Sequence, residues 1–131
     1  MFRSHNEIRS DQGSGIVGFV LVAPLVIAIF IAIGQIAILV ADKSVLNSAA
    51  IIGARTASAA DASNADGRAA ALNVLASRGS GFTPESIVIT QERIQGLTYI
   101  SVSVSRRVNI PYLDRTILIT GRARAIDEAM L

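Results

Sequence analysis

The sequence has no cysteine and no tryptophan, and it has only one histidine. Without cysteine, the chain can form neither a disulfide framework nor a thiolate metal site. The lone His5 excludes a site that needs several histidine ligands, and it leaves no histidine for a Ser-His-Asp triad outside the polar N-terminal tail. Because aromatic residues make up only 5% of the chain, we do not expect a stacking platform for bases or sugars.

Charged residues are scarce and nearly balanced in sign. There are 12 lysines and arginines against 10 acidic residues, which gives a formal net charge of +2. A nucleic-acid-binding protein would show basic residues clustered along one face, so we predict no nucleic-acid partner. Charged residues account for 17% of the chain, against about 25% in a typical soluble domain. The deficit comes from one block near the N-terminus.

That uncharged block predicts a membrane-spanning helix. No charged residue occurs from Gly15 to Ala41, a stretch of 27 residues, where about 20 suffice to cross a bilayer. Residues 16–41 include 17 that are Val, Leu, Ile or Phe, and together they favour insertion by roughly 5 to 10 kcal/mol. Pro24 either kinks this helix or marks its first turn. We therefore predict a transmembrane helix over residues 14–41.

Two other interpretations of the block fit less well. A secretory signal peptide would have a shorter apolar region and a small-x-small cleavage site, for which Leu39 and Ala41 are a poor match. A soluble core helix would need an apolar partner of comparable length, and the rest of the sequence offers none. Arg3 and Arg9 before the block, against Lys43 after it, predict a single pass through the cell membrane with a cytoplasmic N-terminus.

Residues 42–131 are typical of a small extracytoplasmic domain of α+β class. The long helix is predicted to continue to Ala60, followed by a turn-rich break at Asp61–Gly67 and a second, short helix at Arg68–Ser77. The predicted apolar stripe of the long helix is Val45, Leu46, Ala49, Ile52 and Thr56. The predicted stripe of the second helix is Ala69, Leu72, Leu75 and Ala76.

Three strands follow, predicted at Ser86–Gln91, Leu97–Asn109 and Thr116–Ile126. Their connectors, Glu92–Gly96 and Pro111–Arg115, are short, which predicts an antiparallel meander. Alternation places one apolar face toward the two helices. This face comprises Ile100, Val102, Val104, Val108 and Ile110 of the second strand and Ile117, Ile119, Ala123 and Ala125 of the third. Arg106 interrupts it, so either a bulge re-aims this residue or it lies past the sheet edge.

A membrane helix that extends outward over a small antiparallel sheet is the design of a type IV pilin-like subunit. The segment Gln12–Leu25, with its glycines, Phe19 and a Pro-Leu pair, resembles the start of TadE-like proteins, the pseudopilins of the tight-adherence (Tad/Flp) pilus. The segment Asn47–Arg55 is similar to the Asn-Ala-Ala-x-x-Gly-Ala-Arg stretch of that family. The strands and the Ile110-Pro111 pair are also similar, so the resemblance runs from residue 12 to about residue 126.

The resemblance implies a prepilin that a membrane prepilin peptidase cuts after Gly13, leaving Ser14 as the new N-terminus. Residues 1–13 would then be a leader or cytoplasmic tail. Further implied partners are other pilins or pseudopilins and the platform proteins of the pilus. The family carries a Glu five residues after the cut, and this chain has Gly18 there. That carboxylate is thought to pair with the amino terminus of a neighbouring subunit, so the departure bears on processing and on entry into a filament.

Small residues in the apolar run are candidates for packing against another membrane helix, and a glutamine there could hydrogen-bond across the pair. These residues are Gly15, Gly18, Ala28, Ala32 and Gln35. Four arginines are either an exposed basic patch or a plain solvated strand face, with Asp127 and Glu128 as possible ion-pair partners. They are Arg106, Arg107, Arg122 and Arg124. No serine has a base placed beside it by spacing, so we expect no enzyme, cofactor, metal or small-molecule substrate.

Two functions of different classes therefore remain open. The first is a pseudopilin or minor pilin that acts by packing its helix and presenting its sheet domain. The second is a bitopic membrane protein whose outer domain binds a partner without entering a filament. The resemblance to TadE-like proteins favours the first, and the second is the alternative.

The predicted orientation can be tested with fusions at the C-terminus. Alkaline phosphatase is active only outside the cytoplasm, so we expect an active fusion, and an inactive fusion when the reporter works only inside. The physical reason is the excess of arginine before the apolar run. The opposite pair of activities would reverse the orientation, and release of the protein by carbonate would contradict a membrane-spanning helix.

Overall fold

The computed structural model describes the backbone of residues 7–131 and the side chains of residues 13–131. Most of the predicted leader, residues 1–13, including both N-terminal arginines that set the predicted orientation, therefore lies outside the described side chains. The chain forms two compact units, Met1–Ile38 and Leu39–Leu131. The boundary comes three residues before Ala41, the predicted end of the membrane segment. The architecture is the predicted α+β arrangement of a long helix, a short helix and a three-stranded antiparallel sheet.

The long helix α1 spans Glu7–Ser58 without interruption. Pro24 lies in its interior, so the prediction that this proline marks a first turn is wrong. The helix ends two residues before the predicted Ala60. At this end the Ser58 hydroxyl donates to the Arg55 carbonyl at 3.0 Å, which occupies one of the acceptors that a helix terminus leaves open.

The short helix α2 spans Asn64–Ala76, so it begins four residues before the predicted Arg68. Its start is fixed by a capping box: the Asp66 amide donates to Ser63 Oγ at 3.3 Å, and the Ser63 amide donates to the Asp66 carboxylate at 2.8 Å. Hydrogen bonds from the Ser63 backbone and hydroxyl lower the pKa of Asp66. The polar residues that suggested a turn therefore form a helix cap.

The sheet consists of β1 (Ser86–Ile94), β2 (Leu97–Ile110) and β3 (Arg115–Ile126) in the order β1-β2-β3, with antiparallel pairing throughout. A 3₁₀ turn, Glu128–Met130, follows β3. β1 is three residues longer than predicted because its connection to β2 needs only Gln95 and Gly96. Both have positive φ, 51° and 85°, as in the tight turns that suit the twist of a hairpin.

The predicted inner face of the sheet is confirmed at its centre, whereas the helix stripes are partly wrong. Ile100, Val102 and Val104 are at most 2% exposed. The buried side of α1 instead consists mainly of small residues: Leu46, Ala49, Ala50, Gly53, Ala54 and Ala57. Ile52, which the predicted stripe included, is 43% exposed. In α2 the buried residues are Gly67, Ala71 and Leu75, and the predicted Ala69, Leu72 and Ala76 are exposed.

Small residues form these buried faces because the backbones approach closely. A Cβ atom on Gly121 of β3 would lie 2.5 Å from the Leu46 carbonyl oxygen of α1. A Cβ atom on Gly67 of α2 would lie 2.8 Å from the carbonyl oxygen of Gly53 and 2.5 Å from the Cβ of Ala57. Large side chains do not fit into such contacts, so the buried face of either helix cannot be identified from its large apolar residues.

We expect Gly121→Ala to destabilise the Leu39–Leu131 unit by about 1–3 kcal/mol, because the added methyl group meets the α1 backbone, which cannot rotate away. The matched control is Gly81→Ala, where a Cβ meets nothing within 4 Å and the backbone has no left-handed conformation. The measurement is the temperature at which the full chain in detergent loses protease resistance. Equal midpoints for the two variants would contradict the close contact.

Candidate membrane segment and packing surfaces

Among the described residues, one helix is long and apolar enough to cross a membrane. The span is Gly13–Ser58, and its most apolar window has a mean hydropathy of 3.1. None of that window is buried within the structure. A core helix of a soluble protein can match this length and composition, but its apolar side chains would be covered. The exposed apolar surface therefore fits a helix whose surroundings are lipid or another apolar helix.

The residues predicted for cleavage and helix packing lie on the surface of α1. Gly13, Ser14, Gly15 and Gly18 are exposed, as are Ala28 and Ala32, and Gln35 is half-buried. At about 100° per residue, four of the five predicted packing residues lie within one arc of about 100°, and Gly15 lies about 60° beyond it. The same arc also carries the larger Leu21, Leu25 and Ile36, so a second helix there would contact small and large side chains. Cleavage after Gly13 and packing through this arc stay predictions.

The first charged residue after the apolar run forms a buried ion cluster that the sequence did not reveal. Asp42 is 6% exposed. Its Oδ2 lies 3.3 Å from Nη1 of Arg106, and its Oδ1 lies 3.6 Å from Nη2 of Arg78. The guanidinium of Arg106 also stacks over the Phe82 ring, 4.2 Å from its centroid. The cluster joins α1, the loop after α2 and β2 within the Leu39–Leu131 unit.

This cluster explains the arginine that interrupts the apolar face of β2. The pairing of β2 with β3 continues without a bulge through Arg106 and Ile119, so the bulge prediction is wrong. Arg106 lies one residue past the last β1–β2 pair, Ser86 with Ser105, yet it stays within the ladder to β3. It therefore keeps the inward direction that alternation gives it, and Asp42 neutralises its charge there.

The predicted basic patch does not form as one surface. Arg106 faces the helices, whereas Arg107 pairs with Glu85 at 2.8 Å and Arg124 pairs with Glu92 at 3.3 Å on the outer side of the sheet. The predicted pairing of Asp127 with these arginines is wrong, because its carboxylate accepts from the Ala129 amide at 3.1 Å and from the Gln91 side chain at 3.4 Å.

The outer sheet face carries a shallow groove of about 540 Å³. Its polar floor includes Thr90, Ser101 and Ser103, with Arg122 at one side. Ser101 Oγ is buried there without a hydrogen-bond partner among the described residues. Across the described part of the chain, no group of three or more histidine or carboxylate side chains converges to hold a metal ion. The groove is open, and the one carboxylate in its lining, Glu92, is paired with Arg124.

Comparison with known protein families places a match on the long helix. A family model described as "TadE-like protein" matches residues 13–55. Residues 13–55 are therefore similar to TadE-like proteins. No curated protein and no solved structure matches the chain. The match ends at Arg55, so the similarity noted for the strands lies outside it.

The TadE-like segment combines two kinds of helix surface. Its first part is the exposed apolar run, and its last part, Asn47–Arg55, contains the small buried residues of the packed face. Gly53 shows the constraint most directly, because a Cβ there would lie 3.1 Å from the Gly67 carbonyl oxygen and 3.2 Å from the Ala71 Cβ. Arg55 is exposed in the last turn of α1. The Asn47–Arg55 stretch therefore packs the domain onto its helix.

We expect Asp42→Asn to destabilise the Leu39–Leu131 unit by about 1.5–3 kcal/mol, because Arg106 and Arg78 lose their shared counter-charge. The control is Glu85→Gln, which removes a shorter but exposed ion pair with Arg107 and should cost only about 0–1 kcal/mol. Protease resistance of the full chain against temperature distinguishes the two variants. A larger loss for Glu85→Gln would mean that burial does not strengthen the Asp42 cluster.

Proposed function

We propose that this protein is a membrane-anchored minor pilin or pseudopilin of a tight-adherence pilus. The observation that carries the proposal is the TadE-like match over residues 13–55. This match begins at Gly13, the residue after which cleavage is predicted, and it continues through the apolar run into the packed face of α1. A single helix thus combines a membrane anchor with the support of the folded domain.

The proposed role is structural and involves no catalysis. In this role α1 spans the membrane with its N-terminus in the cytoplasm, and the α+β unit lies outside. The uncovered apolar side chains of the helix support the membrane span, since in water they would be an aggregation site. Prepilin peptidase acts on the Gly13–Ser14 bond, and other pilins and platform proteins contact the apolar helix and the domain.

A second candidate function rests on Gly18. A carboxylate at that position would cost roughly 3 kcal/mol in hydrocarbon unless it found a partner, so where it occurs it specifies a neighbour. Gly18 has no side chain, and a Cβ there would meet nothing within 4 Å. The chain could therefore serve as a bitopic anchor whose outer unit binds a partner without filament entry.

We expect cleavage between Gly13 and Ser14, because the small residue and the following apolar run present this bond at the membrane surface. Mass spectrometry of the protein from cells with and without the peptidase would show loss of the 13-residue leader Met1–Gly13. Gly13→Val should abolish the cut, and Gly15→Ala should leave it intact. An uncut chain in peptidase-positive cells would favour the bitopic anchor.

Gly18→Glu tests the filament step separately. If subunits pair through a carboxylate and a neighbour's amino terminus, this variant should be recovered more strongly with filaments or platform proteins. Gly18→Gln is the matched control, because it has nearly the same size and carries no charge. Equal recovery of both variants, or poor membrane insertion of the Glu variant alone, would contradict the pilin mechanism and support the anchor.

A further inference from the structure

The turn between β2 and β3 carries an unusual amount of exposed apolar surface. We call Pro111, Tyr112, Leu113, Ile117 and Leu118 the apolar tip. Tyr112 is 89% exposed and Leu113 is 63% exposed. Ile117 and Leu118, near the start of β3, are 41% and 56% exposed. The apolar side chains of the tip are therefore left uncovered by the described residues, with Ile117 and Leu118 on opposite faces of β3.

The backbone of this turn is also unfavourable for its residues. Tyr112 has φ of 72° and Asp114 has φ of 47°, both in the left-handed region. Glycine or asparagine would adopt the Tyr112 conformation at less cost, and both are more soluble in a turn. A bulky, exposed aromatic residue at positive φ indicates that Tyr112 has a function other than closing the hairpin.

Contacts within the Leu39–Leu131 unit show at which end the tip lies. Gly53 lies against Val102, where a Cβ would come within 3.6 Å of the valine Cγ1. Further back along α1, Leu46 lies against Gly121, which pairs with Val104. Still further back, Asp42 binds Arg106. β2 therefore runs antiparallel to α1, toward Leu39, as its residue numbers rise.

The apolar tip continues in this direction. Ile110, the last residue of β2, is four residues and about 13 Å past Arg106, and the tip follows it. The tip thus lies at the end of the unit where Leu39 joins the apolar run. When that run crosses a bilayer, this is the end of the unit that meets the lipid surface.

We propose that the apolar tip inserts into the interfacial zone of the bilayer beside the helix that anchors the protein. This inference rests on the membrane anchoring in the proposed function. Tyrosine is enriched at this depth because its ring is apolar and its hydroxyl can stay hydrated. Arg115 and Lys43 are exposed cations at the same end of the unit, which suits anionic headgroups.

The size of the apolar tip favours lipid over a second copy of the chain. A stable protein interface buries about 800 Å² on each partner, whereas an aromatic side chain contributes only about 150–250 Å². One convex turn with one aromatic and a few aliphatic residues falls well short of that area. A bilayer needs no complementary surface, so even a small apolar projection can enter it.

Single-cysteine variants of the full chain provide the test, because the sequence has no cysteine of its own. Leu113→Cys probes the apolar tip. Ile94→Cys is the matched control, since Ile94 is an exposed aliphatic residue beside the opposite hairpin turn. Ile27→Cys probes the apolar run itself. Each variant is labelled with an environment-sensitive nitrobenzoxadiazole dye and reconstituted in vesicles of phosphatidylcholine and phosphatidylglycerol in equal parts, with and without spin-labelled lipid.

We expect the dyes at positions 27 and 113 to emit at shorter wavelength and to lose emission when spin-labelled lipid is present, and the dye at 94 to do neither. Tyr112→Asn, which suits the positive φ, should reduce the quenching at 113 without unfolding the turn. Quenching at 27 but not at 113 would overturn this inference and leave the proposed anchoring intact. Absence of quenching at 27 would overturn both. A blue shift at 113 without lipid quenching would mean that protein covers the tip.

Discussion

The fold of the Leu39–Leu131 unit depends on α1 lying against β3 and α2 with no side chains between the backbones. Gly121 meets the carbonyl of Leu46, and Gly67 meets that of Gly53, so one methyl group at either glycine would force the elements apart. The contacts fix both the position of the helix over the sheet and the angle of α2. The alanines between them then fill the remaining space at crystal-like density.

The packed part of α1, where this close approach occurs, and the apolar run differ in which side chains are buried. On the packed side, small residues are buried, and the larger Ile51 and Ile52 are displaced to the surface at 42% and 43% exposure. In the apolar run, large side chains face outward and no other described residue covers them. Asp42 marks the change between the two. Its buried carboxylate could not remain without the guanidinium groups that reach it from β2 and from the loop after α2.

The sheet could be predicted from the sequence to the level of individual faces, because strict alternation around Val102 leaves only one phase that buries the apolar residues. The helix faces could not. Hydrophobic periodicity predicts that Ile52 is a core residue and that Gly53 interrupts the helix. In the structure Gly53 lies at a close contact with α2, and Ile52 lies on the surface. The Asp42 pair was also out of reach, because Arg106 is 64 residues away in sequence and only the fold brings the two together. The helix cap at Ser63 could be recognised in the sequence, but the same polar residues are also typical of a turn.

The glycines of the chain differ in what a Cβ atom added at each would contact. At Gly53, Gly67 and Gly121 a Cβ would collide with other elements, so the fold itself requires glycine. At Gly13, Gly15 and Gly18 a Cβ would meet nothing, and glycine inside a helix costs about 1 kcal/mol relative to alanine. Among the described residues no contact offsets that cost. The proposed peptidase at Gly13 and a packed neighbouring helix at Gly15 and Gly18 would each give these glycines a role.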